Sequence, residues 1–291
     1  MAQDAAGTTC QAADDAAKVP LTVVRPSRGW APLEIGELWA YRELLGFLAW
    51  RDVKVRYKQT VLGAAWAILQ PFAAMVVFTI FFHRMAGIAP DGNVPYPLWS
   101  YAGLLPWTLF AQALTRSSQS LVAQSNLVTK VYFPRLVMPL AATVSALVDF
   151  AVASLVYGGM LVYYKVTPGV ELAYLPLLLL LALATATGVG LWLSAINVKY
   201  RDVRYTIPFL IQIWLFVSPV VYPASRVPEA YRVYYGLNPM AGVIDGFRWC
   251  LLGVGEGPGE MFWASVGVSA FVLISGAYYF RRTEDFFADI V

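Results

Sequence analysis

Two short stretches carry the densest charge in the chain. Ala49–Thr60 reads AWRDVKVRYKQT, and Lys199–Phe209 reads KYRDVRYTIPF. Both contain Arg-Asp-Val, and each opens a run of twenty or more residues without a charge. Arginine and lysine in such a place can anchor a helix to anionic headgroups, each charge contributing on the order of 1 kcal/mol. Arg51, Lys54, Arg56 and Lys58 in the first phrase, and Arg201 and Arg204 in the second, are the residues for that role. One acid, Asp149, stands alone inside a long apolar run. An ionisable group at such a position is a functional candidate by default. It could equally pair with a polar neighbour such as Ser145, or lie near a helix end.

Other chemistries lack their residues. None of the six lysines precedes Ser or Thr, so a nucleotide-binding Gly-x-x-x-x-Gly-Lys-Ser/Thr loop is excluded. The single histidine, His83, excludes a His-Glu-x-x-His zinc site. There is no Gly-x-Ser-x-Gly elbow and no Asp-rich metal cluster. Cys10 and Cys250 are the only cysteines, with no metal-binding spacing. A lone acid is too little for a proton-coupled transporter, which would also be expected to show matching broken helices.

The elements that must position these residues are membrane helices. Of the 291 residues, 59% are hydrophobic and 13% charged, where soluble domains carry about 25% charged residues. A helix needs about 20 apolar residues to cross about 30 Å of hydrocarbon. Six stretches qualify: Gln59–His83, Gly92–Thr115, Leu136–Tyr164 (with Asp149), Leu172–Val198, Tyr205–Ser225 and Met261–Phe280. The expected class is an all-α integral membrane protein with six transmembrane helices over 59–283. Residues 1–32, rich in Ala, Asp, Thr and Pro, read as a mobile tail without signal-peptide character. Residues 284–291 read as a short C-terminal tail.

Lys and Arg favour the cytoplasmic side of short loops. Their distribution puts both termini, and both Arg-Asp-Val phrases, on that side. Three segments do not span. Residues 33–58 carry Leu38, Tyr41, Leu45 and Leu48 on one helical face, which predicts an amphipathic helix in the cytoplasmic interface. Residues 117–135 form an inside loop suited to contact a protein. Residues 227–253 have a charge-free core too short to cross and a break at Asn238-Pro239, which predicts a re-entrant helical hairpin.

At helical spacing, Gln59, Trp66, Gln70 and Phe81 share one stripe of the first span. Tyr205, Phe209, Gln212 and Phe216 share one stripe of the fifth. Amides can bond hydroxyls and flat rings can pack on apolar C–H faces, so the stripes could line a conduit for sugars. Ordinary helix packing would use the same residues.

The phrases RDVKVRYKQTVLGAAWAILQPF, YPLWSYAGLLPWTLF, NLVTKVYFPRLVMPLAATVSALVDF, LSAINVKYRDVRYTIPFLIQIWLFVSPVVYP and LNPMAGVIDGFRWCLLG occur in this order. Together they closely resemble the membrane subunit of bacterial ABC exporters for polysaccharides, the O-antigen, capsule and teichoic-acid permeases. The resemblance runs from about Glu37 to the C-terminal DFFADIV. It implies a homodimeric permease of the bacterial inner membrane, without enzymatic activity or cofactor of its own. It further implies two copies of a partner ATPase that binds ATP and Mg, and no nucleic-acid partner. The implied substrate is a lipid-linked polysaccharide, such as an O-antigen glycan of lipopolysaccharide on undecaprenyl diphosphate.

The resemblance makes residues 227–253 an outer gate and the loop within 117–135 a coupling element for the ATPase. Leu127, Val128, Lys130, Val131, Tyr132 and Phe133 are its expected contacts. It also gives the two charged phrases a second meaning. They flank the first and fifth spans, between which a lipid diphosphate would enter, and Asp52 and Asp202 would hold the arginines in place. The alternatives are an ABC exporter of drugs or small lipids, and a membrane enzyme acting on polyprenyl-linked sugars.

Overall fold

A computed structural model describes residues 35–58, 65–200, 202–255, 257–284 and 287. Within them the chain is helical, with no strand. The predicted N-terminal tail, Gln59, Arg201 and most of residues 284–291 lie outside the described residues.

Eleven α-helices follow in order among the described residues: α1 (Ile35–Ala40), α2 (Arg42–Lys58), α3 (Ala65–Phe78), α4 (Tyr96–Ala123), α5 (Ser125–Lys130), α6 (Val137–Tyr164), α7 (Leu175–Lys199), α8 (Val203–Val217), α9 (Glu229–Tyr235), α10 (Pro239–Leu252) and α11 (Glu260–Thr283). Helix α3 runs on into a wider π-helical turn, Thr79–Met85, where the Ala86 amide bonds back to Phe81. His83 closes this end: Nδ1 lies 2.9 Å from the Ile88 carbonyl, and the ring stacks on Tyr96.

Helix α4 is the hub of the bundle. It packs against α3, α6, α7, α8 and α10. Its surface is buried nearly all round, from Tyr96 to Leu121. Four helical stretches are long and apolar enough to cross a membrane: Ala65–Met85, Val137–Tyr164, Val170–Lys199 and Glu260–Thr283. These match the first, third, fourth and sixth predicted spans. The second and fifth depart from the expectation for different reasons. Helix α4 has 28 residues, but it holds Gln112, Arg116, Ser117, Ser118 and Ser120 in its C-terminal half. Its neighbours shield it, so its surface need not match lipid. Helix α8 has 15 residues, about 22 Å at 1.5 Å per residue, and ends at a turn over Ser218–Pro223.

Close approach of α7 and α11 depends on two glycines. A Cβ on Gly276 would stand 2.3 Å from the Gly188 carbonyl oxygen, and one on Gly188 would stand 2.6 Å from the Leu273 amide nitrogen. Small residues permit such backbone contact between membrane helices.

The segment predicted as a re-entrant hairpin contains two successive helices separated at Gly236–Asn238. Asn238 caps α10 by accepting from the Met240 amide, Pro239 fills the first helical position, and Gly253 ends the helix in the left-handed region. Helix α10 is buried among α4, α7 and α11.

The basic phrases gather at one end of the bundle. There Leu48, Ala49, Leu121, Val128, Phe133, Leu136, Ala195, Val198 and Phe280 form a second apolar core. The described starts and ends of the chain therefore lie at the same end.

The interface helix requires a correction. Leu38, Tyr41 and Leu45 pack against this second core, and Leu48 is part of it. The face predicted for a membrane is thus used by the protein. A different face of α1 and α2 is open, with Trp39, Phe47 and Trp50 exposed.

Candidate functional site

Three helices converge on Asp149, which lies within α6 and is 7% exposed. Arg56 of α2 places Nη1 2.5 Å from Asp149 Oδ2. Arg116 of α4 donates to the same oxygen, and Tyr57 of α2 donates to Oδ1. Arg116 also donates to Gln112 Oε1 at 2.6 Å and to Ser145 Oγ at 3.4 Å. Burial, reinforced by the bond to Asp149, holds the Tyr57 hydroxyl well above the usual phenol range, so it remains a neutral donor. The lone acid is therefore a clamp. It ties α2 to the bundle, close to the point where the chain passes from α2 to α3. Ser145 reaches it only through Arg116.

This clamp divides the predicted phosphate-binding residues. Arg56 is committed to Asp149. Arg51 is held by Asp52, with contacts of 2.9 and 3.2 Å, as expected from sequence. Lys54 and Lys58 are exposed, and Lys54 lies over the Trp50 ring. Arg204, exposed at the start of α8, lies over the Tyr205 ring and donates to its hydroxyl. Asp202 makes only backbone contacts to the first turn of α8 among its recorded bonds.

The two amide–aromatic stripes do not pack inside the chain. On α3, Trp66 is 55% exposed and Gln70 is exposed, and Phe81 in the π-helical turn that follows is 53% exposed. On α8, Tyr205 is 70%, Phe209 62% and Phe216 53% exposed, and Gln212 is exposed. Only Pro71, Met75 and Phe78 of α3, and Ile207 of α8, are buried. Both helices thus rest on α4 through narrow strips and present the rest outward.

The far end of α8 is bound to the hairpin. Trp214 Nε1 donates to Asn238 Oδ1 at 2.8 Å, Asn238 Nδ2 donates to Ser218 Oγ at 2.9 Å, and Tyr235 donates to the Val217 carbonyl at 2.9 Å. Movement of α8 must therefore be felt at the junction of α9 and α10.

The loop expected to couple to a partner contains the short helix α5. Its six predicted contacts split. Val128 and Phe133 are each 5% exposed, within the chain's own core, and Leu127 packs against that core. Lys130, Val131 and Tyr132 are exposed. The loop is held in place by the Arg135 amide, which donates to Glu284 Oε1 at 3.1 Å, and by the Arg135 guanidinium on the Glu284 carbonyl.

Sequence reasoning missed two arginines. Arg116 sits one residue beyond the charge-free run Gly92–Thr115, so it reads as the start of a loop. Arg248 reads as one of several charges outside the spans. It is in fact 1% exposed, donating to the carbonyls of Pro219 at 2.6 Å, Val220 at 2.8 Å and Trp99 at 3.4 Å. Its guanidinium lies 3.5 Å from the centre of the Trp99 ring. It locks the turn after α8 onto α4 and α10. The available signal was its spacing from Asp245 on one turn of an otherwise apolar helix.

Two helices, α3 and α8, thus lie exposed on a buried hub, α2 is clamped to the bundle at Asp149, and α9 and α10 are separated by a break at Gly236–Asn238. The ABC-2 type transporter family pattern matches residues 43–252. The chain belongs to the ABC-2 type transporter membrane family. It is a multi-pass membrane protein of that family. It is 28% identical over 260 residues to the O-antigen export system permease protein RfbA of Myxococcus xanthus, covering 88% of this chain and 98% of that protein. It is 29% identical over 208 residues to an RfbA of Klebsiella pneumoniae, covering 71% and 79%. It is 25% identical over 204 residues to the polysialic acid transport protein KpsM of Escherichia coli, covering 67% and 76%. The ABC-2 match includes α2 from its second residue, both stripes, the clamp and helices α9 and α10.

Proposed function

We propose that this ABC-2 chain is the permease of an O-antigen-like polysaccharide exporter in a bacterial inner membrane. The observation that carries the reading is the outward exposure of the amide–aromatic faces of α3 and α8. Amides and rings turned wholly to acyl chains would leave Gln70 and Gln212 without partners, which is costly. Two copies related by symmetry can bring these faces together around a wet conduit in which a glycan slides. The names of the relatives support the substrate class.

The basic end of the bundle is cytoplasmic, with six membrane-crossing segments and both termini on that side. Helices α4 and α8 supply the second and fifth crossings. Helices α9 and α10 re-enter from the opposite face and form the gate. Lys54, Lys58 and Arg204, with Arg201 outside the described residues, meet the diphosphate of a lipid carrier. Arg51 does so while held by Asp52, whereas Arg56 acts through the Asp149 clamp. Trp39, Phe47 and Trp50 seat α1 and α2 in the headgroup layer, where aromatic rings are favoured. ATP is bound and hydrolysed by a separate ATPase pair, which contacts Lys130, Val131 and Tyr132.

Depletion in the native host tests this reading. Full-length glycan should accumulate in the cytoplasm. Normal surface glycan with altered drug or small-lipid efflux would reject it in favour of an exporter of small amphiphiles.

A further inference from the structure

At the end of the bundle opposite the basic phrases, a cavity of about 490 Å³ opens between the start of α7, helices α9 and α10, Gly255, residues 257–259 and the start of α11. Its volume falls within the roughly 300–1,000 Å³ typical of small-molecule sites. It is set apart from the α3 and α8 stripes.

The lining pairs carboxylates with flat rings. Asp245 lies in its wall, Asp91 is half-buried and accepts from Ser225 Oγ at 2.6 Å, and Glu229 and Glu260 stand exposed beside Arg232. Asp245 is only 6% exposed. Tyr174 and Trp249 form an aromatic wall, their rings 5.5 Å apart at 49°. Gly257 fits closely there, because a Cβ on it would stand 3.3 Å from the Trp249 ring.

Several occupants fit poorly. An acyl chain could pack on Leu177, Leu178, Met261 and Phe262, but it would cover the carboxylates of Asp91 and Asp245, which favour hydrogen-bond donors. An anionic ligand would meet four acids and one lining arginine. A metal ion needs convergent ligands, and among the described residues no group of three His, Cys, Asp or Glu side chains could hold one. Dispersed acceptors around an aromatic wall suit a ligand with hydroxyl donors round its edge and apolar C–H faces. A carboxylate offers about four lone-pair sites, so it can take a hydroxyl in addition to its protein partners.

We infer that this cavity is a binding site for an uncharged saccharide unit, distinct from the conduit. Under the proposed export function, on which the biological meaning rests, it would hold a sugar of the emerging glycan beside the gate. Hydroxyls donate to Asp245 and Asp91, with rim acids and Arg232 orienting the ring edge. The pyranose face packs on Trp249.

The test uses the full chain with its ATPase in lipid nanodiscs, without nucleotide. Binding is followed by ligand-observed saturation-transfer NMR. The probes are mannotriose, N,N′-diacetylchitobiose and, as an anionic control, a sialic acid trimer. At least one neutral probe should bind saturably, and the anionic trimer should bind about ten-fold more weakly or worse, because the lining acids outnumber the lining arginine four to one. Asp245→Asn and Trp249→Ala should each weaken the neutral probe about ten-fold. The exposed rim variant Glu229→Gln/Glu260→Gln guards against misfolding and should weaken it about three-fold at unchanged melting temperature. Absence of saturable binding by both neutral probes, tighter binding of the anionic trimer, or wild-type affinity in all three variants would overturn the inference. Cytoplasmic glycan accumulation on depletion without probe binding leaves the export reading standing and rejects only this site. Probe binding without such accumulation does the reverse.

Discussion

At the residue scale, Asp149 and Arg248 show how charge is kept inside a membrane bundle. Asp149 is shared by Arg56, Arg116 and Tyr57. Removing its charge strands the arginines beside an apolar core. Asp149→Asn should therefore destabilise the protein by on the order of 3 kcal/mol, below the top of the range for a broken buried pair because Arg56 is one-third exposed. A thermal-unfolding shift in detergent measures this. An unchanged melting temperature would show that the clamp contributes nothing. Arg248 is different, since its recorded bonds go to carbonyls at fixed, fork-like positions. Lysine keeps the charge but loses the planar fork and much of the stacking on Trp99. Arg248→Lys should lower the melting temperature and loosen the turn after α8, seen as faster amide exchange over Val217–Tyr222. Neither arginine's role was legible in the sequence. Arg116 and Asp149 are 33 residues apart, and Arg56 and Asp149 are 93 apart. No periodic pattern records pairs at such separations, and Arg116 borders a charge-free run, where a charge reads as a loop.

At the element scale, local chemistry was legible and its neighbours were not. Asn238-Pro239 and Gly253 mark the start and stop of α10 directly. The face of residues 33–58 was also visible, but periodicity cannot tell a core from a membrane, and Leu45 and Leu48 turned inward. Helix α8 is shorter than its charge-free run because Ser218–Pro223 forms a turn that Arg248 holds. The packing of α7 on α11 gives a sharp contrast. Gly188→Leu or Gly276→Leu pushes against backbone and should abolish the monodisperse folded protein by size exclusion. Gly159→Leu on α6, where a Cβ meets nothing within 4 Å, should leave it intact. Equal behaviour of the variants would refute the close-contact account. The α5 loop makes a similar division. Tyr132→Asp with Val131→Asp should release the ATPase in a pull-down while the permease stays folded, because both side chains are exposed. Val128→Asp or Phe133→Asp should instead destabilise the permease itself, because each places a charge in the second core. Retained ATPase binding by the Val131/Tyr132 variant would remove α5 from the coupling role.

At the scale of the whole molecule, α4 is the buried centre against which α3 and α8 both pack. Both helices bury only a narrow strip, and α8 is bonded at its far end to the junction of α9 and α10. A shift of α8 against α4 would pull on Asn238 and Tyr235 and so move the junction of α9 and α10, while α2 stays clamped at Asp149. The central claim is that the exposed stripes of α3 and α8 face a wet path for glycan rather than lipid. Single cysteines at Trp66, Gln70, Gln212 and Phe216 test it most directly, in a background with Cys10→Ser and Cys250→Ala. The measurement is labelling by a membrane-impermeant thiol reagent in the assembled exporter. The account predicts labelling at these positions when the exporter is trapped open with ATP, and protection when a glycan is stalled inside. Failure of all four to react in every state would contradict it and return the stripes to helix packing or lipid.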